Sequence, residues 1–145
     1  MLRTIEKRLG PLAGPTQAIL RIGAALLFMQ HGLMKLGYLG GIDGQGGSVP
    51  FAGQMAIATS LETVGAALMI VGFMTRPVAL LMFIEMLAAF WIVHMPQGGF
   101  PIHNGGEVPL LFALVWLFFV GNGAGPFSVD AALARRRDDS LLAPR

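Results

Sequence analysis

Cysteine is absent from this 145-residue chain, which excludes disulfides, thiol catalysis, iron–sulfur clusters and thiolate metal sites. The same absence leaves the redox compartment open. Charge is scarce too: 12% of the residues are Asp, Glu, Lys or Arg, against about a quarter in an ordinary soluble domain. No basic patch interleaved with aromatics occurs in a polar domain, so a pI near 9.7 does not indicate a nucleic-acid partner. Flavin and nucleotide motifs are also missing.

Apolar sequence is what the chain has in abundance, with 54% hydrophobic residues and a mean hydropathy of +0.67. Four apolar segments stand out: Thr16–Leu36, Gln54–Met74, Pro77–Met95 and Glu107–Asn122. The first three are near the roughly 20 residues that cross a bilayer, and the fourth covers about 24 Å at 1.5 Å per residue. They predict an all-α, polytopic membrane protein: a four-transmembrane-helix bundle over 16–122, with helices at 16–36, 54–74, 77–95 and 107–122. A leader, 1–15, precedes the bundle and a tail, 123–145, follows it.

The basic residues set an orientation. Arg3, Lys7 and Arg8 precede the first helix, Arg76 lies between the second and third, and Arg135, Arg136, Arg137 and Arg145 sit in the tail. The loops 37–53 and 96–106 hold no Lys or Arg. By the positive-inside rule both termini and the Arg76 turn face the cytoplasm, in agreement with an even number of spans. The first segment starts late, contains Arg21 and lacks a small-residue cleavage pattern, so it is expected to stay in the membrane. Two similar stretches, Gly23-Ala24-Ala25-Leu26 and Gly65-Ala66-Ala67-Leu68, are assigned a packing role, because small residues let membrane helices approach closely.

The polar residues inside these segments are few and patterned. Gln17, Arg21, Ala24, Phe28, His31 and Lys35 follow one another at steps of four, three, four, three and four, which places them on one helical face. Glu62 and Glu85 each stand alone in a later segment. Ionisable groups inside membrane segments are costly and usually face a bundle interior. With the outer edge set at Lys35, Gln54 and Met95, His31 is roughly 6 Å deep, Glu62 about 12 Å and Glu85 about 15 Å. His94, His103 and Glu107 fall at that edge, and Arg21 lies closer to the cytoplasmic side.

Glu62 shares a stripe with Met55, Ala58, Gly65, Ala66 and Met69, and Glu85 with Leu81, Ala88, Ala89 and Ile92. Both stripes contain small residues, as helix–helix contacts do. His94 is nine residues past Glu85, half a turn away, and joins the group only if the helix bends near Pro96. A carboxylate beside His and Lys is what proton-coupled quinone chemistry needs, because quinone carbonyls want donors such as imidazole or ammonium.

Plain structural roles compete with each assignment. Arg21 snorkels or pairs, Lys35 anchors at the interface, and Glu107 complements a helix dipole. His103 is read as a loop residue. Nine methionines serve as apolar filling rather than a copper path. His31 and His94 as haem ligands lack a demonstrated geometry, so haem is disfavoured, and no metal site is expected.

In these pieces the chain resembles the DoxX family of small bacterial four-helix membrane proteins. The resemblance rests on Arg21-Ile-Gly with Gln30-His-Gly-Leu-Met-Lys35, on Glu62-Thr-Val-Gly65 with Gly72-Phe-Met-Thr-Arg76, and on His94. Asn104-Gly-Gly-Glu107, Gly121-Asn-Gly123 and Ser128-Val-Asp130 complete it. It implies ligand-binding roles among Arg21, His31, Lys35, Glu62, His94 and Glu107, with Glu62 and His31 closest to the chemistry and Arg76 and Gly65 structural; Glu85 has no counterpart in the family pattern. Some relatives look like quinone-linked subunits of sulfur-compound oxidoreductases, others are associated with oxidative-stress defence. The resemblance therefore implies a multi-pass protein of the bacterial inner membrane, a quinone-linked redox subunit or accessory protein with quinone as its ligand. Without cysteine, sulfur chemistry would need a partner oxidoreductase subunit. A small proton or solute transporter using Glu62, Glu85 and Arg21 as a relay is the second expectation, and a homo-oligomer would suit it. A non-catalytic anchor or scaffold is the third.

Overall fold

The computed structural model describes residues 9–142, so Arg3, Lys7, Arg8 and Arg145 lie outside the described residues. Among the described residues the chain is mainly helical, without strands, and carries an isolated bridge between Gly41 and Gly47. Three helices are long and apolar enough to cross a membrane: α1 (Gly10–Lys35), α2 (Gly53–Val71) and α3 (Thr75–Gln97). A single turn, α4 (Pro101–Asn104), leads to the shorter apolar helix α5 (Glu107–Asn122). The described residues end with α6 (Val129–Leu142), where the sequence predicts a polar tail.

Local chemistry sets the helix ends. Pro11 sits in the first turn of α1, a 3-10 turn, where its missing N–H costs nothing. Gly72 adopts φ +69° and Met74 φ +50°, and this left-handed pair stops α2 short of Met74. The next helix starts at Thr75, two residues before Pro77, because Asp130 caps it. That carboxylate accepts the Met74 and Thr75 amides at 2.9 and 3.0 Å, satisfying N–H groups a helix start leaves open.

The polar stripe of α1 bonds inward at Gln17, Arg21 and Lys35, each with a different partner, while His31 is exposed. At one end Gln17 donates to the Gly123 carbonyl at 3.0 Å. One turn on, Arg21 donates to Ala124 O at 2.5 Å and Phe127 O at 2.7 Å. The segment 123–128 is thereby strapped across the bundle, and the Arg76 guanidinium donates to Val120 O and Gly121 O at 2.8 and 2.7 Å. Arg76 thus satisfies last-turn carbonyls of α5 and places positive charge at the negative end of its dipole. We refer to this as the tail end of the bundle.

The middle of the bundle is apolar. Phe28, Ala66, Met69, Ala79, Met82, Trp116 and Phe119 are buried together, and the Phe28 and Trp116 rings meet edge-on with centroids 5.3 Å apart. Both Gly-Ala-Ala-Leu stretches pack in the core through Ala25 and Ala66, which are fully buried, and Gly32 is a further tight contact of α1 with α2. A methyl on Gly32 would lie 2.6 Å from Thr63 Cγ2, whereas one on Gly23 would meet nothing within 4 Å. Gly65 faces α3 at ordinary contact distance from Met82 and Val78.

Loop 36–52 closes the opposite, loop end. Asp43 organises it by accepting the Gln45 and Gly47 amides, each at 2.8 Å. These donors favour the ionised form and hold the Asp43 carboxyl below its ordinary range.

Two turns of the bundle are wider than α-helical: Leu61–Gly65 in α2 and Phe90–His94 in α3 are π-helical. Such turns fit one extra residue into the helix and re-aim the side chains beyond it.

Candidate functional site

Both wide turns border the same cavity. It measures about 630 Å³ and lies towards the loop end, between α1, α2, α3 and α5. Its walls are mainly aliphatic, with Ile57, Leu61, Leu81, Ile84 and Ile92 among them, and its polar groups are His31, Lys35, Gln54, Glu62, Glu85 and His94. A few convergent polar groups in an apolar cavity of this size are the usual composition of a small-molecule site.

Lys35 and Glu62 form its electrostatic centre. The ammonium donates to Glu62 Oε1 at 2.5 Å, and Glu62 is only 4% exposed. Its second oxygen, Oε2, is buried with no hydrogen-bond partner. A buried carboxylate keeps full value only when its remaining lone pairs are satisfied, so Oε2 is an unpaired acceptor, covered behind the cavity lining. His31, one turn before Lys35, lines the same cavity with its ring perpendicular to that of Phe112, centroids 6.2 Å apart.

The widened turn of α3 answers the half-turn mismatch between Glu85 and His94. A π turn advances less than 100° per residue, so His94 is rotated back towards the cavity without any break at Pro96. The imidazole is then fixed from outside: Nδ1 lies 2.9 Å from Asn104 O. A carbonyl only accepts, so Nδ1 carries the proton of this bond and Nε2 is the nitrogen left over for other partners. Asn104 is itself held, donating from Nδ2 to Gly98 O at 2.5 Å and accepting from the Gly106 amide at 2.8 Å. Sequence reasoning gave Asn104 no role; its place one residue before the positive-φ Gly105 was the available signal.

The face of α3 that carries Glu85 is not the helix contact expected from its small residues. Leu81, Glu85, Ala88, Ala89 and Ile92 line the cavity, while Val78, Ala79, Met82, Met86 and Phe90 form the buried side. The reason is a splay between helices: α3 packs on α2 through Leu61–Val71 far more than through Gly53–Ser60. Exposed Ile57, Ile84 and Ile92 border the resulting cleft.

Three of the expected site residues lie apart from this group. Arg21 is 1% exposed; its Nη1 and Nη2 are spent on the tail-end carbonyls and its Nε is left unpaired, with the Phe28–Trp116 layer between it and the cavity. Glu107 stands exposed in the first turn of α5, where it complements the positive helix end. Arg76 and its carbonyl partners belong to the tail end. His103 is exposed and outside the cavity lining. No group of three or more metal-ligating His, Asp or Glu side chains occurs among the described residues.

Three long apolar helices around a cavity of this composition define a small multi-pass helical membrane protein with an internal polar site. The DoxX family profile matches residues 16–95, and the chain belongs to the DoxX family. An uncharacterised protein of Haemophilus influenzae is 38% identical over 117 residues, covering 78% of this chain and 87% of that protein. A second uncharacterised protein of the same organism is 29% identical over 79 residues, covering 54% of this chain and 52% of its own length. No solved structure matches.

Proposed function

We propose that this protein binds a quinone in the loop-end cavity and serves as a quinone-linked subunit or accessory protein of a membrane oxidoreductase. The observation that carries the reading is Glu62: a buried carboxyl with one oxygen on Lys35 and the other unpaired, in a mainly apolar cavity that borders a cleft between α2 and α3. The polar end suits an oxygenated ring. The cleft, edged by Ile57, Ile84 and Ile92, suits a hydrocarbon tail reaching the site sideways from the bilayer. The residues present therefore fit the group chemically.

A bound quinone would supply two-electron, two-proton redox chemistry. The chain's own part is to hold and protonate. Lys35 and His31 donate towards a ring oxygen, Glu62 Oε2 takes or returns a proton, and Asn104 keeps the His94 tautomer that leaves Nε2 free. Electrons would come from or go to a partner subunit, because the chain has neither cysteine nor a flavin or nucleotide motif. In this reading α5 is the fourth span, both termini are cytoplasmic, and the protein resides in the bacterial inner membrane with its cavity in the outer half.

The Glu62–Glu85–Arg21 relay of a transporter is less well supported, since the apolar layer of Phe28, Met69, Met82 and Trp116 separates Arg21 from the two carboxyls. The deciding experiment is to purify the protein in mild detergent and measure extracted quinone per chain, in wild type, His31→Ala and Glu62→Gln. Near-stoichiometric quinone in the wild type that falls in both folded variants supports the reading. Absence of quinone from a folded wild type overturns it and favours transport or scaffolding.

A further inference from the structure

The cavity holds a carboxyl that the proposed site leaves idle. Both oxygens of Glu85 are buried and neither has a hydrogen-bond partner. The Lys35 ammonium is engaged with Glu62, so Glu85 has no ion-pair partner either. It caps no helix, and its neighbours on the α3 face, Leu81, Ala88 and Ile92, are apolar and line the cavity with it. Glu85 lines the cavity while both its oxygens are covered and unsatisfied, a cost that turning the carboxyl onto a ligand in the cavity relieves.

We propose that Glu85 is a second ligand-contacting residue, which engages the far oxygen of a flat, two-headed ring whose near oxygen is held by Lys35, His31 and Glu62. The inference rests on the quinone reading above and narrows it to a substrate class: para-dioxygenated rings, in preference to lipids with a single polar head. The two contact points come from different elements. Lys35 and His31 are on α1 and Glu62 on α2, while Glu85 is on α3, so a ligand touching both bridges the cleft that separates α2 from α3. A carboxyl suits either redox form: ionised it accepts from a ring hydroxyl, protonated it donates to a ring carbonyl.

The test uses the full chain in lipid nanodiscs under argon. One probe is a decyl-substituted benzoquinol, and the other is the matching decylphenol, which lacks the second oxygen. Binding is followed as extracted ligand per chain over a concentration series. The wild type is expected to prefer the quinol about tenfold, the worth of one hydrogen bond to an ionisable group. In Glu85→Leu that preference disappears while decylphenol binding is retained; Glu85→Gln, which keeps an acceptor and a donor, retains part of it. An undiminished preference in Glu85→Leu overturns the proposal while leaving the quinone reading intact. Failure of the wild type to bind either probe removes the quinone reading itself and this inference with it. Should Glu85→Leu misfold, infrared difference spectra decide. Quinol addition to the wild type must shift a carboxyl band that is missing from Glu85→Gln, and the lack of such a band overturns the assignment.

Discussion

A charge inside a membrane segment persists only if something compensates it, and for Glu62 that something is Lys35. Removing one member of a buried pair is far costlier than removing both. Lys35→Met is therefore expected to destabilise the protein by about 3 kcal/mol, the lower end for such pairs, because the Lys35 side chain is 21% exposed. The double variant Lys35→Met with Glu62→Gln should recover most of that loss. Thermal unfolding in detergent tests the pair directly, and a Lys35→Met variant as stable as wild type would show the contact to be incidental. The individual residues were legible to different degrees. Lys35, His31 and Glu62 could be chosen from spacing and depth alone, because a helical face is a property of the sequence. Glu85 could be located but not given a task, since its task depends on how far α2 and α3 stand apart.

At the scale of the element, packing distances are set by single glycines. Gly23 and Gly32 lie on one helix and read alike, yet they stand in opposite surroundings. An Ala at 23 meets no atom within 4 Å and gains helix propensity worth up to about 1 kcal/mol. An Ala at 32 would press on Thr63 and on both the Cβ and the backbone carbon of Glu62, at 2.6, 2.9 and 3.0 Å. Backbone cannot yield as a side chain can, so overpacking here is expected to cost about 1–3 kcal/mol. Gly23→Ala should thus raise the melting temperature and Gly32→Ala lower it. Two shifts of the same sign would contradict the assigned contact. The same element scale explains why helix existence was legible while helix detail was not. The apolar runs are intrinsic, but the π turns at 61–65 and 90–94 answer to neighbours packed against them. The Asp130 cap on α3 reaches across 55 and 56 residues, beyond any local pattern. The strap 123–128 was hidden in a similar way, because its hydrogen bonds run from its backbone carbonyls to Gln17 and Arg21, side chains more than a hundred residues away.

The whole molecule has two unlike ends, and their separation is a statement about topology. At the tail end Gln17, Arg21 and Asp130 tie 123–130 to α1 and to the start of α3, and Arg76 ties α3 to the end of α5. At the loop end lie residues 36–52 and the cavity. Helix α5 packs along α3 and returns the chain from the loop end to the tail end, although its 16 residues cover only about 24 Å. A bilayer core of about 30 Å must thin locally to meet a helix that short. If α5 crosses, residue 45 in the loop and residue 140 in α6 face opposite compartments. Because the native chain has no cysteine, single probes are unambiguous. Gln45→Cys should react with a membrane-impermeant maleimide on intact spheroplasts, and Ser140→Cys only after permeabilisation, as the Arg135–Arg137 cluster on the cytoplasmic side requires. The reverse pattern would keep four spans and invert the protein, moving the cavity to the inner leaflet. Labelling of both residues from one side would mean three spans. In that case α5 would not cross, and the strap that Gln17 and Arg21 hold in place could not form in the membrane.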